Sequence, residues 1–284
     1  MALEVARAAS DVEIVSVDSM QVYRGMDVGT DKPTWPVRDE VPHHLLDLAD
    51  PSEEFTVTRF QATFREAVAG IEDRGNRALL VGGTGLYLRA AVEDLEIPGR
   101  YPDIAAELAS ERDTEALHAR LRNVDPLAAS RMEPTNRRRV LRALEVTVGS
   151  GRPFSSFGPG LDSHPPSPFR LIGLWLPRDT VAQRIAQRYE RQVAAGFVDE
   201  VRDLAAHPEG LSKTARQALG YRELLAHVGG ELSLSDALAL AVRRTRRFAR
   251  RQRAWFRRDP RIRWLAAGGE NLVIAQAVLR DWRT

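Results

Sequence analysis

Apolar residues along this chain fall into two alternating kinds of run. Short runs of consecutive apolar or small residues at 14–17, 78–81 and 171–176 are bounded by polar loops and read as buried strands. Longer stretches carry apolar residues at helical spacing. Leu3, Val5, Ala6 and Ala9 mark residues 2–9, and Val57, Phe60, Phe64, Val68 and Ile71 mark residues 56–74. Further helices are expected from Leu86 and over about 179–206, 214–228 and 234–258, with an edge strand at 261–265. No capping residue precedes Leu3, so residues 2–9 read as a helix entered midway. Short strands alternating with helices predict an α/β fold with a parallel sheet. Such sheets bind ligands at the carboxyl ends of their strands, where Asp18 and Thr84 fall.

The pattern changes over residues 100–149, which predict short helices punctuated by Pro102, Pro126 and Pro134. Residues 150–169 are rich in Gly, Ser and Pro and read as a connector. The expected organisation is an α/β catalytic core of residues 1–99 and 170–284, helical in its C-terminal part, with a helical insertion at 100–169. No internal repeat is visible.

Composition removes several chemistries. The chain has no cysteine, which excludes disulfides, zinc knuckles and Cys nucleophiles. Its six histidines form no H-x-x-x-H pattern. No apolar run reaches the roughly 18–20 residues of a membrane span, and the N-terminus lacks the features of a secretory signal. A cytoplasmic protein without a membrane partner is the expectation.

Charge sharpens the picture. Net charge is +2, yet 39 of the 41 basic residues are arginine, Lys32 and Lys213 being the only lysines. Codon preference in a GC-rich genome accounts for such a bias, but not for its distribution. Arginines crowd 131–142 and 243–258, which suggests a nucleic-acid face. Nine arginines lie in 243–258 with no acid in the span, on a helix whose Leu234, Leu238, Ala241, Val242, Thr245, Phe248, Ala249, Gln252 and Trp255 form a packing stripe. A polyanion or diphosphate suits that helix. Ser233 and Asp236 form a plausible capping box at its start. Arg184, Arg188 and Arg191 share one stripe of an earlier helix, either a solvated basic face or an anion site. Arg138 and Arg142 share a face in the insertion, with Val140, Leu141 and Leu144 turned inward, and suit phosphate contact.

Two loop motifs carry candidate chemistry. Gly82-Gly83-Thr84-Gly85 links a strand to a helix. Its glycines allow positive φ and close backbone approach, and the helix start offers N–H groups to an anion. A tight connection is the alternative. Asp18-Ser19-Met20-Gln21 follows a strand, where Asp18 can ligate Mg²⁺, act as a base or cap a turn.

These segments, in this order, resemble the tRNA dimethylallyltransferases, also called tRNA isopentenyltransferases. The matching runs are IVSVDSMQVYRGMDVGTDKP at 14–33, VPHHLLD at 41–47, LVGGTGLY at 80–87, NRRRVLRALEV at 136–146, QALGYR at 217–222 and TRRFARRQRAWFR at 245–257. The resemblance covers nearly the whole chain. It implies a P-loop NTPase-like parallel-sheet core with an inserted all-helical domain. It implies transfer of a dimethylallyl group from dimethylallyl diphosphate to N6 of adenine 37 in the tRNA anticodon loop, with Mg²⁺ as cofactor and a monomeric enzyme. On the same basis Asp18 is the general base and Thr84 lies at the reaction channel. Asp18, Ser19, Met20 and Gln21 recognise the adenine, and Arg188 and Thr84 hold diphosphate. Further tRNA contacts fall on Thr84, Arg138, Arg139, Val140, Leu141, Arg142, Arg216, Gly220, Tyr221 and Arg222. Arg138 replaces the Gln usual in the family.

One family feature does not occur. The phosphate-binding loop G-x-T-x-x-G-K-S/T requires Gly before Lys, but Asp31 precedes Lys32 and Ser212 precedes Lys213. Family spacing places that loop, and the apolar strand before it, ahead of Met1, so the expectation is a true start further upstream. The alternatives are a shortened, inactive tRNA-binding homologue and a phosphotransferase of the P-loop kinase kind. The D-S-M-Q-V-Y run and the arginine-rich insertion have no role in the last.

Overall fold

The structure, a computed structural model, describes residues 1–161 and 163–283; Asp162, inside the predicted connector, and Thr284 lie outside the described residues. The described residues divide into two compact units, one of residues 1–92 and 167–284 and one of residues 93–166.

The first unit opens with α1 (Ala2–Arg7), β1 (Val12–Val17), α2 (Trp35–Glu40), β2 (His43–His44), α3 (Val57–Asp73), β3 (Arg77–Gly82) and α4 (Gly85–Glu93). The three strands form a parallel sheet in the order β2-β1-β3, with Ile14 opposite His43 and Val17 opposite Gly82. All six residues of β1 are buried, as a central parallel strand covered on both faces requires. Its polar members are paired. The Glu13 carboxylate accepts from Arg74 at 2.7 and 3.0 Å, from Asn76 Nδ2 at 2.7 Å, and shares a 2.5 Å hydrogen bond with His44 Nε2. Helix α3 starts where Thr56 caps the N–H of Arg59 and buries Phe60, Phe64 and Ile71, with Phe60 against Tyr87 at 4.4 Å.

The second unit is all-helical: α5 (Pro102–Ser110), α6 (Thr114–Val124), α7 (Pro126–Ser130) and α8 (Arg137–Ser150). Asp113, Asp125 and Asn136 cap the last three. Its core joins Leu108, Leu117, Leu121, Val140 and Leu144.

The chain then returns to the first unit through β4 (Ile172–Trp175), α9 (Arg178–Ala194), α10 (Phe197–Ala205), α11 (Tyr221–Val228), α12 (Leu234–Phe256), β5 (Arg263–Ala266) and α13 (Asn271–Arg283). The helix expected over 179–206 is two helices, because Gly196 takes φ 94° and turns the chain. Gly220, at φ 86°, likewise separates α11 from a 3₁₀ turn at 215–217. Strand β2 and helices α2 and α13 have no counterpart in the sequence reading. Phe248, expected in the packed stripe of α12, is exposed.

Strands β4 and β5 pair in parallel as a separate two-stranded sheet. Between the unpaired edge of β3 and β4 lies a cavity of about 940 Å³ that both strands line. For that reason 78–81 is half-buried rather than the fully buried strand expected from its composition.

Candidate active site

Asp18 leaves the carboxyl end of β1 and turns the chain at once. Its Oδ1 accepts the N–H groups of Met20 at 2.7 Å and Gln21 at 3.4 Å. Oδ2 has no hydrogen-bond partner among the described residues, so one carboxylate oxygen fixes the loop and the other is available to a proton. Thr84, at the end of the neighbouring strand, accepts the Ser19 N–H at 3.3 Å and lies 3.4 Å from the Ser19 hydroxyl. Parallel pairing of β1 and β3, ending at Val17 opposite Gly82, brings the two motifs together. Beneath them Tyr87 is buried, and burial, with the nearby Tyr23 and Asp18, raises its phenol far above the usual range.

The glycines of Gly82-Gly83-Thr84-Gly85 serve close approach and not unusual dihedrals, since none of the three has positive φ. A Cβ on Gly83 would stand 1.9 Å from Gln252 Nε2, and one on Gly85 2.4 Å from Trp255 Nε1. Helix α12 is thus seated directly on the strand–helix turn, and Gln252 donates to the Gly83 carbonyl at 2.9 Å.

Gln21 is held at both ends of its amide. Oε1 accepts from Ser16 Oγ at 2.8 Å, and Nε2 donates to the Thr30 carbonyl at 3.0 Å. The loop carrying Thr30 is anchored by Lys32, whose buried ammonium meets Asp27 and Asp47 at 2.6 Å each and also the Tyr23 carbonyl. Lys32 belongs to the D-K-P run, but its buried role as a loop anchor carried no separate signal in the sequence. Neither did Gln192 and Glu200, which reach the same loop from α9 and α10.

Arg188 points to that loop, 3.2 Å from Asp31 Oδ2. The arginines that line the cavity are instead Arg170, Arg178, Arg246, Arg250 and Arg253. Arg253 lies over the Trp175 ring at 5.4 Å, with its Nε buried and without a hydrogen-bond partner among the described residues. Arg244 is ion-paired with Glu223 of α11, so the basic run is partly neutralised from outside its own span.

Four positions expected to contact RNA are committed elsewhere. Tyr221 is 1% exposed and donates to Glu200 at 2.6 Å; its phenol is raised far above the usual range by burial and by that carboxylate. Gly220 is buried and supplies the turn into α11, donating its N–H to Glu223 at 2.9 Å. Val140 is in the core of the second unit. Arg142 binds Glu145 at 2.7 Å and the carbonyls of Pro98 and Gly99 at 2.8 and 2.9 Å, serving as an internal anchor of that unit. Leu141 packs beside Val140. Arg138, Arg139, Arg216 and Arg222 are exposed.

The family model described as IPP transferase matches residues 21–259. A tRNA dimethylallyltransferase of Kineococcus radiotolerans is 48% identical over 272 residues, 94% of this chain and 85% of that protein. One from Salinispora arenicola is 47% identical over 279 residues, 96% of this chain and 80% of that protein. Among solved structures, the tRNA isopentenylpyrophosphate transferase of Bacillus halodurans superposes with TM-score 0.71 at 34% identity, covering 99% of this chain and 90% of that one. A eukaryotic dimethylallyltransferase acting on tRNA shares the fold, with TM-score 0.80 at 23% identity over 99% of this chain and 75% of that one.

Proposed function

Because the chain belongs to the IPP transferase family, we propose that it transfers a dimethylallyl group from dimethylallyl diphosphate to N6 of adenine 37 in the tRNA anticodon loop. The observation that carries this reading is the Asp18 carboxylate, tied down through Oδ1 with Oδ2 open, at a strand end beside Thr84.

An adenine amine is too weak an acid to lose its proton in advance. As N6 bonds to the allylic carbon, the carbon–oxygen bond to diphosphate breaks, and Asp18 takes the N6 proton as positive charge develops on nitrogen. The departing diphosphate needs positive charge and donors. Arg178, Arg246, Arg250 and Arg253 on the cavity wall suit this, and the unpaired Nε of Arg253 is a donor in search of an acceptor. Arg188, paired with Asp31, is the weaker candidate for that role. Exposed Arg138, Arg139, Arg216 and Arg222 suit phosphate contacts with RNA.

Among the described residues the cavity wall is mostly apolar and its only carboxylates are Asp179 and Asp281, set among arginines, so it offers no carboxylate cage for Mg²⁺. The ion fits as one carried on the diphosphate oxygens, a common mode for Mg²⁺, where it would help neutralise the leaving group. The cavity between β3 and β4 is flanked by two strand edges, and the reading has one further parallel strand between them, ending in a phosphate-binding loop near Gly82. The half-buried state of β3 against the fully buried β1 supports it.

The direct test incubates the protein with dimethylallyl diphosphate and tRNA, then digests the RNA to nucleosides. Prenylated adenosine at one mole per mole of tRNA is expected. Tight tRNA binding without product would favour the inactive RNA-binding reading.

A further inference from the structure

The side chain of Glu200, on the first turns of α10, is spent on backbone. Its Oε2 accepts the N–H groups of Asp27 at 2.9 Å and Val28 at 2.6 Å, and its Oε1 accepts the N–H of Gly29 at 3.2 Å and the Tyr221 hydroxyl at 2.6 Å. From α9, Gln192 Nε2 donates to the carbonyls of Val28 and Gly29 and to Asp31 Oδ1, at 2.9, 3.2 and 2.9 Å. One side chain grips the N–H groups of the loop and the other its carbonyls. Gly29 is pressed so closely that a Cβ would stand 2.2 Å from the Phe197 ring and 2.6 Å from the Tyr221 ring. The next residue is Thr30, whose carbonyl receives Gln21 Nε2.

A carbonyl can only accept, so Thr30 dictates that the NH₂ end of the Gln21 amide faces it, while the Ser16 hydroxyl can serve either end. The orientation of the amide is therefore decided by where the Thr30 carbonyl stands. Once bonded to Ser16 and Thr30, the amide keeps one N–H and one lone pair in a fixed order. That is the donor–acceptor pair with which Gln reads an adenine edge; the flipped amide presents the reverse order.

We propose that Glu200 is a positioning residue for base selection: by clamping the N–H groups of residues 27–29 it places the Thr30 carbonyl, which holds the Gln21 amide in the orientation that selects adenine. The proposal rests on the reading of Gln21 as a side chain that meets the target base. Glu200 touches only backbone and Tyr221, so it acts through Gln21 and not on substrate.

The test measures binding of two anticodon stem-loops, with A or with G at the target position, to the full chain. Glu200→Gln turns an NH₂ group against the loop N–H groups and is expected to cut the A-over-G preference by about tenfold, within the range of a lost bidentate base contact. In a Gln21→Ala background the same change is expected to leave the remaining preference unaltered, as a residue acting through Gln21 must. Glu200→Asp keeps the charge with a shorter reach and gives an intermediate loss; it carries the test if the Gln variant fails to fold. A preference unchanged in either Glu200 variant, while the parent discriminates, overturns the proposal, as does an equal loss with and without Gln21. A parent chain that does not distinguish A from G overturns the reading of Gln21 and the proposal with it.

Discussion

Gln252 Nε2 donates to the carbonyl of Gly83 at 2.9 Å and occupies the place a Gly83 side chain would need. The glycine-rich turn and the arginine-rich helix, separate motifs in the sequence, are one packed unit. The two glycines differ in what opposes them. Gly83 faces the far end of a flexible side chain, whereas Gly85 faces the rigid Trp255 ring. Gly85→Ala is therefore expected to lower stability by about 1–3 kcal/mol. Gly83→Ala is expected to cost less stability but to displace Gln252. Thermal or urea unfolding of the two variants checks the order, and equal losses would contradict it.

Asp18→Asn keeps the shape of the turn but removes the proton acceptor. Prenyl transfer is expected to fall by about 10²–10⁴ in kcat, with RNA affinity nearly unchanged. Retention of more than about a tenth of kcat in single-turnover assays would rule out Asp18 as the base.

The arginines of α8 divide into two behaviours. Arg138 is exposed, and Arg138→Ala is expected to reduce the log–log salt slope of tRNA binding by about 0.7–0.9, one phosphate contact. Arg142 is bound to Glu145 and two carbonyls, so Arg142→Ala is expected to destabilise the helical unit. Salt titrations and melting curves on both variants separate the roles.

Glu13 makes a pH prediction. Hydrogen bonds from Arg74, opposed by burial and reinforced by Asn76 and His44, hold its carboxyl down to about 2. A carboxylate with a lowered folded value stabilises the fold above its unfolded value and loses that contribution as pH falls toward the folded one. Stability is expected to decline between about pH 4.5 and pH 2, by an amount on the order of 3 kcal/mol from this group. Glu13→Gln should flatten that part of the urea-midpoint profile; an unchanged slope would show that other carboxylates carry it.

The cavity between β3 and β4 predicts a gain of function. Met1, Ala2 and Val5 line it, so a segment joined ahead of Met1 begins at its wall. An apolar strand ending in G-x-T-x-x-G-K-S/T, joined there, is expected to raise the melting temperature by pairing two open strand edges and to raise the prenyl-transfer rate. No change in either quantity would mean that the slot does not receive a strand.

The alternation of apolar runs determined the parallel α/β character of this chain, because strands buried on both faces must be continuously apolar and helices on a sheet must be amphipathic. Local capping chemistry likewise made the start of α12 legible at Ser233. Contiguous motifs made the candidate residues Asp18, Gln21 and Thr84 legible, and parallel pairing of β1 and β3 brings their loops together. Tertiary structure alone decided the rest. Whether an arginine meets solvent or a carbonyl, as Arg138 and Arg142 differ, depends on the chain opposite it, and periodicity is blind to that. The breaks at Gly196 and Gly220 are φ choices that glycine permits but does not announce. Glu200 reaches Val28 across 172 residues of sequence; a carboxylate on an amphipathic helix looks like any solvated charge until folding delivers three backbone N–H groups to it.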